Sequence, residues 1–200
     1  MRKLSLLAVC LFVSASVAKA QKVEGTLDFL GGCNELHFVF EYNGMMVKKQ
    51  TEQQYVAETV KEKNKEKKGK GNEWKTEWET TTREYIQSVF VKDFNQEISE
   101  MKFYGGEYPN AKYIATVKTI WLDPGYMAGP MTKPSIVTIV VTFTKTGSSA
   151  TLATVTIKKA KGSIYDFGNT FGTDAHRIGS SYGEAGELLG KAVKKVLKKK

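Results

Sequence analysis

The stretch that decides the fold is Arg177–Lys200, RIGSSYGEAGELLGKAVKKVLKKK. Ile178, Tyr182, Ala185, Leu189, Val193 and Val196 recur at spacings of three and four, the stripe of an amphipathic helix. Four glycines, Gly179, Gly183, Gly186 and Gly190, recur at four, three and four. They form a second stripe about a quarter-turn from the first. Each interior glycine costs a helix roughly 1 kcal/mol relative to alanine. Four of them on one line imply a bare flank that lets the backbone approach a neighbour closely. The helix is too polar for a membrane, so that neighbour is a soluble element. The sequence nominates the aromatic helix at 73–99 or its junction with a sheet. Asp174 or Thr173 supplies the N-cap, and the terminal lysines suit the negative pole of the helix dipole.

Working outward from this helix, two strands precede it as a hairpin. Val137, Ile139, Val141 and Phe143 alternate with Thr138, Thr142 and Thr144; after TKTGSSA, Ala153, Val155 and Ile157 alternate with Thr154, Thr156 and Lys158. Upstream, Tyr113, Ala115, Val117 and Trp121 alternate with Thr116, Lys118 and Ile120. The first strand is LHFVFEY at 36–42, with Leu36, Phe38, Phe40 and Tyr42 on one face and a turn at Asn43-Gly44. One face of this sheet is apolar and the other is threonine and lysine, so helices cover one side only.

Two further helices lie between. One is expected over Glu52–Glu66, with Thr51 and Gln54 as a capping box and Tyr55, Val56, Thr59 and Val60 inside. Its charged tail, KEKNKEKKGKGNE, reads as a solvated end and linker. The other is expected over Glu73–Ser99, with Trp74, Trp78, Tyr85 and Val89 on one row and Ile86, Phe90 and Phe94 on the next. Trp74, beside the glycine linker, could line a groove. The expected fold is α+β: a two-layer sandwich, a mainly antiparallel sheet with helices on one face.

The chain opens with basic Arg2 and Lys3, an apolar run over 4–15 and the small-residue site Ala18-Lys19-Ala20, the pattern of a secretory signal peptide cleaved before Gln21. The apolar run is too short to span a membrane. Cys10 is poorly placed for lipidation, because Val9 stands where a small residue is needed. Residues 1–20 are thus read as leader and 21–200 as one exported α+β domain, periplasmic or associated with the outer envelope. The leader holds three of the 30 Lys and Arg and none of the 21 Asp and Glu, so the remainder carries 27 against 21, or +6. That excess suits an envelope polyanion or an envelope protein as partner, and export argues against nucleic acid. Cys33 is the one cysteine after the leader, so no internal disulfide is expected.

Chemistry is sparse. No zinc, calcium, phosphate-loop or nucleophile-elbow pattern occurs, and no cofactor or metal is expected. His176 and Ser180 stand one helical turn apart beside Asp174, a weakly supported hydrolase set. The most distinctive loop is LDPGYMAGPMTKP at 122–134, which carries three of the four prolines. Trp121, Asp123, Pro124, Gly125, Tyr126, Met127 and Met131 form the first candidate binding surface, a stiff turn offering aromatic and thioether contacts. Lys191, Lys194, Lys195 and Lys198 form the second, a basic tail for anionic lipid or polysaccharide.

The Ala-Lys-Ala leader end, LDPGY and RIGSSYGEAGELLGKAVKKVL, with a sheet between helices, resemble small exported envelope proteins of Gram-negative bacteria. More loosely, the layout is similar to the periplasmic α/β domain of curli-secretion lipoproteins and their relatives. This resemblance implies envelope assembly or binding without catalysis. The expected function is therefore a non-enzymatic envelope binding or assembly protein.

Overall fold

The computed structural model describes residues 21–128, 131–163 and 173–199. The leader and its cleavage site, with Pro130 and Lys200, lie outside them. Among the described residues, ten strands and four α-helices succeed one another as β1 (Gln21–Gly25), β2 (Glu35–Glu41), β3 (Met46–Val47), β4 (Gln50–Thr51), α1 (Glu52–Glu66), α2 (Lys70–Glu79), α3 (Thr81–Ile98), β5 (Tyr104–Gly106), β6 (Tyr113–Asp123), β7 (Tyr126–Ala128), β8 (Met131–Lys133), β9 (Ile136–Lys145), β10 (Thr151–Lys161) and α4 (Asp174–Leu197).

The main sheet runs β1-β10-β9-β6-β2-β5, with β3 parallel to the end of β6 and paired to β4. Its β1, β10, β9 and β6 are antiparallel neighbours. β2 is parallel to both β6 and β5. The sheet is mainly antiparallel as expected, and β2 adds parallel pairings beyond β6. The three helices between β2 and β5 form a crossover that returns the chain to the end from which it left, the condition for parallel pairing. The class is α+β as expected, with α3 and α4 on the apolar face. One row across that face is Phe40, Val117, Val141, Val155 and Val23. The corresponding outer row is Val39, Thr116, Thr142, Thr154 and Glu24.

α1 starts where expected because its capping box forms: Thr51 Oγ1 accepts from Gln54 N–H, and Gln54 Oε1 accepts from Thr51 N–H. The expected linker after it shrinks to a few residues. Asn64 Oδ1 accepts from both Gly69 and Gly71 N–H, and α2 begins at Lys70. The expected helix 73–99 is two helices, broken at Thr80, whose φ of −119° and ψ of −89° are not helical. The break lets the two halves pack differently. Trp74 and Trp78 turn to Tyr55 of α1, with ring centroids 6.1 and 5.5 Å away. Phe90 and Phe94 pack edge-on against Phe38 of the sheet at 5.4 and 4.9 Å. Trp74 is buried, and its Nε1 donates to Asp174 at 3.1 Å.

α4 lies along the helix layer with its two stripes used as the sequence implies. Ile178, Tyr182, Ala185, Leu189 and Val193 are fully buried. The glycines face α3. A methyl placed on Gly186 would sit 2.3 Å from the Phe90 carbonyl oxygen, and on Gly190 2.9 Å from Glu97 Cβ. At Gly179 and Gly183 it would meet the Tyr85 ring at 2.7 Å and the Asp93 carboxylate at 2.2 Å. Thr173 is the N-cap, accepting from His176 N–H, which frees Asp174 for Trp74 and Arg177.

Buried polar groups tie α4 to the sheet. Tyr182 and Thr119 share a hydroxyl hydrogen bond of 2.6 Å, and Ser181 bonds Ser135 at 3.0 Å. Among the described residues no buried side-chain polar atom lacks a partner.

Candidate binding groove

β6 alternates inward with Tyr113, Ala115, Val117 and Thr119, and then breaks its period at a bulge between Thr119 and Trp121. A bulge adds one residue against the partner strand and re-aims the side chains beyond it. Leu122 takes the next inward place, and Trp121, which the sequence left to either the loop patch or the core, sits half-buried at the rim. Its indole Nε1 donates 2.7 Å to the Lys48 carbonyl. Lys48 in turn donates its own N–H to the Leu122 carbonyl at 2.8 Å. Held from both sides, Lys48 takes a left-handed φ of +55°, a conformation that costs a residue with a Cβ roughly 1 kcal/mol or more.

This stitching leaves an open groove of about 560 Å³ between the β3–β4 turn, α1 and the end of β6. Trp121 and Tyr55 line it, with Lys48, Lys49 and Lys133 set against Glu58, Glu62 and Asp123. Burial pushes the Tyr55 hydroxyl up to about 12, so it is a neutral donor or acceptor at any ordinary pH. The sequence pointed to Trp121 and the loop after it, but not to Lys48, Lys49 or Tyr55. They come from a turn and a helix some 60 or more residues upstream, and no local pattern joins them to β6.

The nominated loop divides into buried supports and exposed contacts. Asp123, Pro124 and Gly125 are buried, not outward-facing. Asp123 accepts from Gly125 N–H at 3.0 Å and from Lys133 Nζ at 2.6 Å, while its carbonyl accepts from Ser135. Burial works to raise the Asp123 carboxyl, but the Lys133 and Gly125 hydrogen bonds outweigh it and hold it below the usual range. The Pro124 carbonyl accepts from Arg177 Nε at 2.8 Å. Gly125 has φ +66°, and a Cβ there would lie 2.2 Å from the Lys133 carbonyl oxygen, so no other residue fits. On this base stands the β7–β8 hairpin. Tyr126 is 46% and Met131 63% exposed, and Met127 is half-buried. Tyr126 pairs across the hairpin with Lys133, which joins these contacts to the groove.

The second nominated surface is also divided. Lys194 is largely buried, donating to the Glu97 carbonyl at 2.9 Å and to its carboxylate at 3.3 Å. Lys191 is bonded to Glu187. Lys195 and Lys198 face solvent.

His176 and Ser180 line a common cavity of about 440 Å³ with Tyr85, Asp93 and Glu184. The His176 ring bonds Thr173 Oγ1 through Nδ1 at 2.9 Å and lies edge-on to Tyr85, and Ser180 Oγ accepts from Ser163 N–H at 2.8 Å. Asp174 is taken by Trp74 and Arg177 and does not orient the imidazole. Among the described residues no three His, Cys, Asp or Glu side chains gather as a metal site, and no helix is long and apolar enough to cross a membrane.

No family model and no curated protein matches the chain. Among solved structures, the PelC dodecamer from Paraburkholderia phytofirmans is similar at 7% identity and a TM-score of 0.39, over 84% of this chain and 96% of that one. A likeness at that level carries no argument about function.

Proposed function

We propose that the chain is a non-catalytic binding protein of the cell envelope, which takes another envelope protein or an envelope polyanion against the Trp121 groove and the β7–β8 hairpin. The observation behind this reading is the immobilised Trp121: a half-exposed indole, placed by a bulge and anchored through a strained Lys48. Strain kept in a surface turn is characteristic of functional sites, and tryptophan is enriched among residues that dominate binding. The leader sequence supports the envelope address. Replacing Trp121 by Ala, or Tyr126 and Met131 together by Ser, should weaken binding to whatever the wild-type chain recovers from envelope extract at least tenfold, with unfolding unchanged. Full retention of that partner by all of these variants would sink the reading.

The shared cavity at His176 and Ser180 favours one second reading, a hydrolase acting there. A screen with ester and glycoside substrates separates the two: turnover lost in both His176→Ala and Ser180→Ala would replace binding with catalysis.

A further inference from the structure

β1 ends the sheet, and its outer edge has no partner strand among the described residues. The direction of its backbone groups is set by the ladder. Thr146 N–H donates to the Lys112 carbonyl, which makes Tyr113 and Lys145 a pair that exchanges no backbone bonds. Alternation carried through the unbroken registers of β9 and β10 turns Val155 toward β9 and turns Thr154 and Thr156 toward β1. Lys22 and Glu24 therefore spend their N–H and C=O groups on β10, while Gln21, Val23 and Gly25 direct theirs outward. Val23 also carries its side chain on the apolar face, level with Val155, yet is 44% exposed because no strand among the described residues lies beyond it.

Lysine on an edge strand usually discourages pairing. Here the order Lys22-Val23-Glu24 reverses that effect for one partner. In an antiparallel pair related by a twofold axis through Val23, each Lys22 stands opposite the other copy's Glu24. These are the pairs that exchange no backbone bonds, whose side chains approach most closely. The two Val23 residues meet on the apolar face and exchange both backbone bonds. Within one chain Lys22 and Glu24 already lie 2.6 Å apart on the outer face, so pairing extends that ion pair into a four-charge cluster.

We propose that β1 is the contact through which two copies of this chain associate, joining their sheets edge to edge about Val23. A five-residue strand buries far less than the ~1,200 Å² of a standard stable interface, so the association depends on concentration. The inference is independent of the groove proposed as the binding site, which lies beyond the opposite side of β6.

The test is sedimentation velocity on the chain purified from the compartment where it accumulates, from about 1 μM to about 500 μM, a range that brackets weak association. The wild-type chain should shift from monomer to dimer across it. Lys22→Glu and Glu24→Lys should each remain monomeric, because each sets like charges opposite one another on both sides of the axis. An equimolar mixture of the two variants should dimerise, since every opposed pair is then Glu with Lys. The double variant K22E/E24K should dimerise alone for the same reason. Thermal melts check that all variants fold. A wild-type chain that stays monomeric at the highest concentration, single variants that dimerise as it does, or a mixture that fails to pair would each overturn the proposal.

Discussion

Gly186→Ala isolates the claim that α4 depends on contact between main chains. The added methyl would sit 2.3 Å from the Phe90 carbonyl oxygen, 3.1 Å from its carbonyl carbon and 3.2 Å from its Cα. Every one of these atoms is backbone, so no side chain can turn aside. Ordinary contact of carbon with oxygen needs about 3.3 Å, which requires α3 and α4 to part by roughly 1 Å. A gap of that size forfeits a quarter to a half of the dispersion energy of the atoms facing it. Overpacking of this kind costs about 1–3 kcal/mol. The better helix propensity of alanine returns roughly 1 kcal/mol. With an immovable obstacle the cost lies at its upper end, and the net loss is about 2 kcal/mol. For a chain of this length that lowers Tm by about 4–8 °C. Urea unfolding monitored by circular dichroism measures it. Gly179→Ala is the control: its methyl meets the Tyr85 ring, which can rotate, so stability should stay within about 1 kcal/mol of wild type. A Gly186→Ala chain as stable as the wild type, or a Gly179→Ala chain equally damaged, would refute the reasoning.

Other outcomes rest on the buried polar groups. Tyr182→Phe leaves the Thr119 hydroxyl without its partner in a dry site and should cost about 1–3 kcal/mol in urea unfolding. Burial pushes Tyr42 and Tyr55 up to about 12 and Tyr182 higher still. Unfolded tyrosines ionise near 10, so the unfolded chain loses those protons first and stability should fall from about pH 10 upward. Absorbance at 295 nm should show these three phenols protonated at pH 11 in the folded chain. Asp123 behaves oppositely. Its folded pKa lies below its unfolded one, so its contribution is complete above pH ~4 and lost as pH falls through the folded value. Asp123→Asn should flatten the acid limb of the stability profile, measured by melts between about pH 5 and 2.

The start of α1 and the stripes of α4 were readable because they are local. Thr51 and Gln54 are three residues apart, and the two stripes of α4 repeat within single turns. The features that escaped were set by distant partners. The parallel placement of β2 depends on where β6 lies, more than 70 residues later. β1 is too short and polar to announce itself until β10 receives it. The bulge in β6 shifted the period just where Trp121 begins the candidate site, so alternation alone could not decide between patch and core for that residue. Asp123-Pro124-Gly125 reads as an exposed turn because turn chemistry is the same whether the loop faces water or Arg177. The break at Thr80 has no proline or glycine to signal it; it serves two aromatic clusters that only the folded chain reveals.

The place of α4 in the chain bears on when the protein can become itself. Its buried stripe covers β9 and β10, and Gln21, at the start of β1, donates to the Leu188 carbonyl in the middle of the helix. Two segments far apart in the sequence thus complete one another. A chain made from its N-terminus must keep the hairpin of β9 and β10 wet on its greasy side until α4 emerges. With closure dependent on contacts this remote in sequence, folding should be slow and all-or-none. Such a chain stays pliable until α4 has been made and hardens only when that helix docks.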